Sequence, residues 1–231
     1  MTTTRTLLAA LCGALALAAF EAFGAAPDGG APPSPPADAG AAREGHCPSD
    51  MVRVADSCMD RFEASLTRGK AVSAKGAVPK VRVTFDEAAS ACSAAGKRLC
   101  KKAEWITACR GPQRVRRYPY GAAFEEKRCM GWDSRDPKAK AGPAPSGSFP
   151  ACRSIELEIY DLSGNVFEWI DEPAPGGLRP ICGGSFNNAG NDLACSCGEL
   201  ERPDKRQDGI GFRCCRDLVG DASAAPVSAP R

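Results

Sequence analysis

The high cysteine content of this chain sets strong limits on its fold. The 231 residues include 13 cysteines, and Cys12 falls within an N-terminal stretch typical of a secretory signal. There, Arg5 precedes an apolar segment and small residues follow at Ala22 and Gly24, so we predict a signal peptide over residues 1–24. Its removal leaves 12 of the 13 cysteines. An even, high count in an exported chain predicts a disulfide framework and a secreted, periplasmic or cell-surface location.

The same N-terminal stretch has two alternative interpretations. A membrane span is disfavoured, because the apolar run is short and is interrupted at Glu21. A lipid anchor at Cys12 is disfavoured because bulky Leu11 precedes this cysteine and the apolar run continues beyond it. We therefore predict an exported chain with no membrane span.

Charge and histidine content exclude several functions. The net charge is only +2, and the cluster of Arg114, Arg116 and Arg117 is short and has few aromatic neighbours for base stacking. We predict no nucleic-acid binding. His46 is the only histidine and lies beside the predicted linker. An iron site with two histidines and a Ser-His-Asp triad are therefore both excluded.

Composition divides the mature chain into three parts. Residues 25–45 are rich in Pro, Ala and Gly and are predicted to form an extended linker. Residues 46–218 contain all 12 remaining cysteines and are predicted to form the folded domain. Residues 219–231 return to an Ala/Pro/Ser composition and are predicted to be a disordered tail.

Apolar spacing predicts two helices and several short strands. The first helix follows Thr84, which forms a capping box with Glu87, and ends at Gly96. The second covers residues 102–110 and lacks a capping hydroxyl, so we hypothesise that a disulfide through Cys100 holds its first turn. Strands are predicted at residues 51–54, 155–160, 166–170, 181–186 and 210–216. Long Gly/Pro loops between them predict an α+β domain with much irregular backbone.

The most informative motif lies at residues 159–169, Ile-Tyr-Asp-Leu-Ser-Gly-Asn-Val-Phe-Glu-Trp. Asp161 and Glu168 flank a Ser-Gly-Asn turn, in which Gly164 can supply the positive φ that a sharp loop requires. Carboxylates and backbone carbonyls are hard oxygen donors that suit Ca²⁺. A hairpin turn with an exposed acidic pair has the same pattern. The segment alone leaves both interpretations open.

Four further segments accompany this motif in chain order. They are residues 83–109 (VTFDEAASACSAAGKRLCKKAEWITAC), 118–121 (YPYG), 182–186 (CGGSF) and 209–214 (GIGFRC). Together, the five segments resemble the formylglycine-generating enzyme family, also called the sulfatase-modifying factor domain, over about residues 51–218. The resemblance implies a single, loop-rich α+β domain, a C-type-lectin-like variant cross-linked by disulfides.

The resemblance also implies a structural calcium site in the 159–169 motif. Asp161 and Glu168 would contribute carboxylates, and Gly164 and Val166 would contribute backbone carbonyls. The family's other calcium site is expected to be lost, because Met130 stands where the family has an asparagine. Calcium is therefore the expected cofactor.

Several disulfides are expected, on two different grounds. The resemblance implies Cys92 with Cys214, and Cys109 with either Cys195 or Cys197. From the residues themselves, a bond between Cys47 and Cys58 would close a local hairpin, and one between Cys129 and Cys152 would close the long loop. The remaining cysteines stay unassigned because their connectivity is not readable from spacing: they are Cys100, Cys182, Cys215 and one of Cys195 and Cys197.

The family enzyme oxidises a client cysteine to formylglycine, using molecular oxygen and copper held by two thiolates. In this chain the two thiolate positions are occupied by Asn188 and Leu193. Neither side chain can bind Cu(I) as a thiolate does, so copper is not expected. Ser185 matches the serine that lines the family's oxygen pocket, and Phe167 stands where the family has a tryptophan. Cys195 and Cys197 lie just beyond and are the candidates for a displaced thiol pair.

Three functions from different classes follow from these observations. The favoured one is a non-catalytic module that binds an extended peptide, an exported client protein or another ligand, because the fold signature is retained without the thiol positions. The alternative is an oxygen-dependent oxidoreductase that converts a client cysteine to formylglycine with Cys195 and Cys197. The third is a structural, surface-tethered protein with the Pro-rich linker as its spacer.

Overall fold

The computed structural model of the protein describes residues 45–220. The predicted signal peptide with Cys12, most of the predicted linker and residues 221–231 of the predicted tail lie outside the described residues. Within residues 45–220, no helix is long and apolar enough to cross a membrane.

Short strands make up most of the regular structure, and each has two to four residues. In chain order they are β1 (Gly45–His46), β2 (Met51–Val54), β3 (Ser57–Asp60), β4 (Ala64–Thr67), β5 (Lys70–Ser73), β6 (Arg98–Leu99), β7 (Phe167–Trp169), β8 (Arg179–Cys182), β9 (Glu199–Glu201), β10 (Ile210–Gly211), β11 (Cys214–Asp217) and β12 (Val219–Gly220). The two α-helices in this part of the chain are α1 (Phe85–Ala94) and α2 (Lys102–Arg110). The architecture is the α+β domain that the sequence predicts.

Two four-stranded sheets form the framework of the domain. One has the order β2-β3-β11-β6 and is antiparallel throughout. The other has the order β10-β7-β8-β9, in which β10 runs parallel to β7. A hairpin of β4 and β5 stands apart from both sheets. Because β3 pairs with β11, segments from the two ends of the domain lie side by side.

The ends of the described chain also meet. Strand β1 pairs with β12 in an antiparallel register that sets Gly45 opposite Gly220. Gly45 belongs to the predicted linker, and Val219 and Gly220 belong to the predicted tail. Ordered pairing therefore extends slightly past the boundaries that composition suggested.

Both predicted helices are confirmed. At the start of α1, Thr84 Oγ1 accepts a hydrogen bond from the Glu87 amide at 3.2 Å, and Glu87 Oε2 accepts one from the Thr84 amide at 3.0 Å. Helix α2 covers Lys102–Arg110 as predicted. Its missing hydroxyl cap is replaced by Glu104, whose Oε2 accepts from the Lys101 amide at 2.8 Å. A Cys100–Cys215 disulfide holds the preceding residue, as we hypothesised.

The strand predictions were partly wrong. Residues 155–160 do not form a strand: only an isolated bridge joins Arg153 to Tyr160, and Glu158 adopts a φ of 52° that breaks extended backbone. The strand predicted at 181–186 ends at Cys182, because Gly183 and Gly184 turn with positive φ. The segment 210–216 divides into β10 and β11. Apolar runs predicted extended chain in these segments. A residue with positive φ, or the lack of a partner strand, prevented a continuous ladder of hydrogen bonds.

Six disulfides cross-link the domain. They join Cys47 to Cys58, Cys92 to Cys214, Cys100 to Cys215, Cys109 to Cys195, Cys129 to Cys152 and Cys182 to Cys197. These pairs include every one that the sequence analysis named, with Cys195 as the partner of Cys109. Several close loops of about a hundred residues, which is where constraint of the unfolded chain is largest.

Candidate functional site

The acidic motif forms a buried turn in the structure. Every residue from 161 to 170 is buried, so the alternative of an exposed acidic pair is wrong. Gly164 has a φ of 77°, and a Cβ built on it would lie 2.2 Å from the Met130 carbonyl oxygen. The amide of Asn165 donates to that same carbonyl at 2.8 Å. Only glycine fits at position 164, since any side chain would collide with backbone.

Beneath the turn, Glu168 on β7 forms a fully buried ion pair with Arg213. Arg213 Nη2 lies 2.8 Å from Glu168 Oε1, and the indole of Trp105 donates to Glu168 Oε2 at 2.8 Å. Arg213 also donates to the carbonyls of Asp60 at 3.0 Å and Tyr160 at 2.7 Å. The guanidinium thus joins β3, β7 and the segment between β10 and β11 through one hub of charge-assisted hydrogen bonds.

A third carboxylate, Glu63, completes this cluster, and the sequence analysis missed it. Glu63 is fully buried and accepts from the Val166 amide at 3.1 Å, from the Ser146 hydroxyl at 3.2 Å and from the side-chain amide of Asn165. Burial and repulsion from Asp161 and Glu168 raise the pKa of Glu63 well above its usual value. Its place three residues after β3 carries no local pattern that marks it as part of the site.

The charge balance of this cluster bears on the expected calcium. Glu63, Asp161 and Glu168 contribute three carboxyl groups against the single guanidinium of Arg213. Burial is the main reason that the pKa of Asp161 rises to about 6. Hard oxygen donors with uncompensated negative charge fit Ca²⁺ in chemistry.

In the structure, the carboxylate oxygens of Asp161 and Glu168 accept hydrogen bonds from protein groups instead of facing one common centre. Asp161 Oδ2 accepts from the Gly147 amide at 2.7 Å, and both oxygens of Glu168 face Arg213 or Trp105. No three His, Cys, Asp or Glu side chains in the described part of the chain are already arranged as a metal cluster. A cation would therefore have to draw Asp161 and Glu63 away from their present partners.

The two positions that correspond to the family's thiolates have structural roles in this protein. Leu193 packs in the interior, and Asn188 accepts hydrogen bonds. Leu193 is 1% exposed, and its methyl groups approach Gly131 and Gly184 so closely that a Cβ on either glycine would lie within 3 Å of them. Asn188 Oδ1 accepts from the Ser185 hydroxyl at 2.8 Å and from the Ser185 amide at 3.0 Å. The space that a metal centre would need is filled by an aliphatic side chain and an amide.

The candidates for a displaced thiol pair are both in disulfides, and with different partners. Cys195 is bonded to Cys109, and Cys197 is bonded to Cys182. Both are buried. Phe167 lies on β7, and Ser185 lies in the loop after β8, where its hydroxyl is held by Asn188. A thiol pair at 195 and 197 would require the reduction of two separate disulfides.

An exposed aromatic surface lies beside this rebuilt loop. Trp132 is 61% exposed, and its amide donates to the Asn188 carbonyl at 2.8 Å. The guanidinium carbon of Arg135 lies 4.4 Å from the centre of the Trp132 ring, and Arg135 Nη1 donates to Asn187 Oδ1 at 3.3 Å. We call Trp132, Arg135, Asn187 and Asn188 the Trp132 surface. Sequence reasoning missed it because nothing local to Trp132 indicates that it faces solvent next to residue 188.

The fold and this site define a disulfide-linked, C-type-lectin-like domain with a Gly-Gly-Ser loop and a buried acidic turn. Residues 20–218 match the model of the sulfatase-modifying factor enzyme 1-like domain, and the chain belongs to that family. The family resemblance and the fold class predicted from the sequence are both confirmed.

Two curated relatives illustrate the range of the family. The inactive C-alpha-formylglycine-generating enzyme 2 of Mus musculus is 32% identical over 160 residues, which cover 63% of this chain and 51% of that protein. The formylglycine-generating enzyme of Mus musculus is 28% identical over 172 residues, covering 62% of this chain and 45% of that protein. The chain therefore spans about half the length of the curated relatives it matches.

Solved structures show the same fold at low sequence identity. The crystal structure of CarF superposes with a TM-score of 0.51 at 20% identity and covers 71% of this chain and 87% of that one. The Major Tropism Determinant P3c variant has a TM-score of 0.50 at 16% identity and covers 77% of this chain and 55% of that one. At these identities the likeness extends to the fold alone.

Proposed function

We propose that this protein is a non-catalytic binding module of the sulfatase-modifying factor family, whose ligand is an extended peptide or an exported client protein. Leu193 and Asn188 at the thiolate positions support the loss of copper chemistry. The disulfides at Cys195 and Cys197 argue against a displaced thiol pair. A similar relative that carries the word inactive in its name is consistent with a family that retains the fold without the reaction.

The Trp132 surface is the observation that carries this proposal. Exposed tryptophan and arginine side chains are the residue types most enriched among the anchors of protein interfaces. Trp132 is held in place by the hydrogen bond from its backbone amide to the Asn188 carbonyl, and Arg135 stacks on its ring. Little further ordering of these side chains is therefore needed when a ligand covers them. A ligand on this surface would lie next to the loop where the family carries out its chemistry.

Tryptophan fluorescence gives a direct test. Trp105 and Trp169 are fully buried, so acrylamide should quench mainly Trp132. The probe is a synthetic unstructured peptide with one central cysteine, together with the same peptide carrying serine. We expect both peptides to protect Trp132 from quenching, because no free thiol on the protein is needed for binding. Trp132→Ala should weaken binding of the labelled peptide more than about tenfold, measured by fluorescence polarisation.

A matched control variant distinguishes binding at the Trp132 surface from nonspecific binding to exposed apolar side chains. Leu200 is an exposed apolar side chain on β9, away from the loop of Asn188 in sequence, so Leu200→Ala should bind the peptide as the parent does. Absence of binding to either peptide, or equal loss in both variants, would refute the proposal. Conversion of the peptide cysteine to formylglycine in the presence of copper and oxygen, detected by mass spectrometry, would favour the oxidoreductase instead.

Calcium is proposed as a structural ligand of the buried turn. Asp161, Glu168 and the carbonyls of Gly164 and Val166 are the ligands that the family resemblance implies, and Glu63 adds a further carboxylate. Asp161→Asn keeps the acceptor for the Gly147 amide and removes one charge. Calcium should raise the melting temperature of the parent, and this variant should lose most of that rise without melting lower in chelator. An equal loss in both buffers would mean that Asp161 is merely structural.

The location proposal is export through the N-terminal signal peptide, to the medium, the periplasm or the cell surface. Six disulfides are typical of an extracellular or lumenal compartment. N-terminal sequencing of the protein recovered from the medium or periplasm should begin near residue 25. A mature N-terminus at a lipid-modified Cys12 would replace this proposal with membrane anchoring.

A further inference from the structure

A cavity lined by arginines lies at the end of helix α2. It has a volume of about 480 Å³ and is walled by the segment after α2 and by residues 191–196. Its charged lining residues are Arg110, Arg116 and Arg117, and no acidic residue is among those that line it. We call this the arginine cavity. It shares no lining residue with the Trp132 surface.

The arginines carry donors that the protein itself does not satisfy. The Nε groups of Arg110 and Arg116 are both buried without a hydrogen-bond partner. The terminal nitrogens of Arg116 are engaged by the half-exposed carboxylate of Glu156, at 2.5 and 2.6 Å. Among the described residues, Arg110 and Arg117 form no ion pair. The charges of Arg110 and Arg117 in the lining are therefore not balanced by a carboxylate of the described residues, and a bound anion would balance them through charge-assisted hydrogen bonds.

The walls of the cavity are held in place before any ligand arrives. The Cys109–Cys195 disulfide joins the last turn of α2 to the opposite wall. The Cys195 amide donates to the Arg117 carbonyl at 2.7 Å, and the Arg116 amide donates to the Arg110 carbonyl at 3.3 Å. A site whose backbone is cross-linked loses little conformational entropy on binding.

We propose that the arginine cavity binds a phosphate dianion, either free or as the monoester of a small organic group. Three guanidinium groups and one carboxylate leave an excess of two positive charges, which matches a dianion. Ser196 and Asn191 add neutral polar groups to the wall, so donors approach from several sides, as a tetrahedral oxyanion requires. The volume is larger than phosphate alone, and exposed Val115 offers an apolar contact for an ester group.

Isothermal titration calorimetry at constant ionic strength tests this site. The probes are inorganic phosphate and phenyl phosphate, with chloride as the background anion. We expect saturable binding, tighter for phenyl phosphate if an ester is the natural ligand and equal for both if free phosphate is. Arg117→Gln changes an exposed side chain and should weaken binding at least about tenfold, since a charge-assisted bond is lost.

Two further variants keep the test decisive. Ser196→Glu places a tethered carboxylate in the cavity and should abolish phosphate binding while the near-ultraviolet circular dichroism stays unchanged. Arg202→Gln removes an exposed guanidinium that is paired with Asp204 and should bind phosphate as the parent does. Lack of saturable binding, undiminished binding in Arg117→Gln, or an equal loss in Arg202→Gln would each overturn the proposal.

Discussion

Replacing Arg213 by methionine should strongly destabilise the protein. Arg213 is fully buried, contacts both oxygens of Glu168 and donates to two backbone carbonyls. Without it, Glu168 keeps the Trp105 indole as its partner, and the three carboxyl groups of the cluster have no counter-charge. Removing one partner of a buried pair costs about 3–5 kcal/mol. That is a large part of the free energy of unfolding of a typical domain, about 5–15 kcal/mol.

The cost should depend on pH in a definite direction. Arg213 lowers the pKa values of Glu63 and Asp161, both of which are already raised by burial, so its removal raises them further. A carboxyl group whose folded pKa lies above its unfolded value contributes stability that is present at low pH and lost as the pH rises through the folded pKa. The penalty of Arg213→Met should therefore be larger at pH 7 than at pH 5, by about 1 kcal/mol or more.

Urea unfolding at both pH values, with all disulfides intact, measures this penalty. A double-mutant cycle with Glu168→Gln isolates the coupling between the two side chains. Arg202→Met removes an exposed guanidinium and should leave the unfolding midpoint unchanged. A cost below about 1 kcal/mol at pH 7 would refute the description of Arg213 as the hub of a buried charge cluster, because buried pairs cost more to break. A cost independent of pH would refute the role given to Glu63 and Asp161.

Three further predictions concern the rebuilt site and the core. Leu193→Ala should lower the free energy of unfolding by about 2–5 kcal/mol in urea titrations, because the leucine fills a space bounded by glycines; a loss typical of an exposed position would contradict that packing. Alkylation of the native mature protein should label no cysteine, whereas selective labelling of Cys195 or Cys197 under mild reduction would support a redox site. Burial raises the pKa of Asp60 to about 6, although Lys97 lowers it, so about 3 kcal/mol of stability should be lost between pH 4 and pH 7. Asp60→Asn should make that slope shallower in unfolding curves recorded across this range, and the slope that remains should include the titration of Asp161. An unchanged slope would assign the whole titration to other groups.

Local signals in the sequence were sufficient for the helices. The capping box of Thr84 and Glu87 involves residues three apart, and the start of α2 was predicted although its capping hydroxyl is missing. The prediction of an even disulfide framework also needed only a cysteine count and the expectation of export, because exported chains fold where disulfides persist. Strand prediction was poorer. The segment 155–160 has the apolar pattern of a strand, but a strand also needs a hydrogen-bonding partner, which only the tertiary structure provides.

The family, the two helices and the loss of the thiolate positions were readable from the sequence, because each depends on residue identity at a short, fixed spacing. Long-range packing brings Glu63 to the 159–169 motif and places Arg213 against Glu168, across 45 residues of chain, and no local pattern predicts either contact. The same packing also sets the pairings of Cys100 with Cys215 and of Cys182 with Cys197. Charge compensation and disulfide pairing depend on which distant segments approach each other, and burial then sets the energy of each contact.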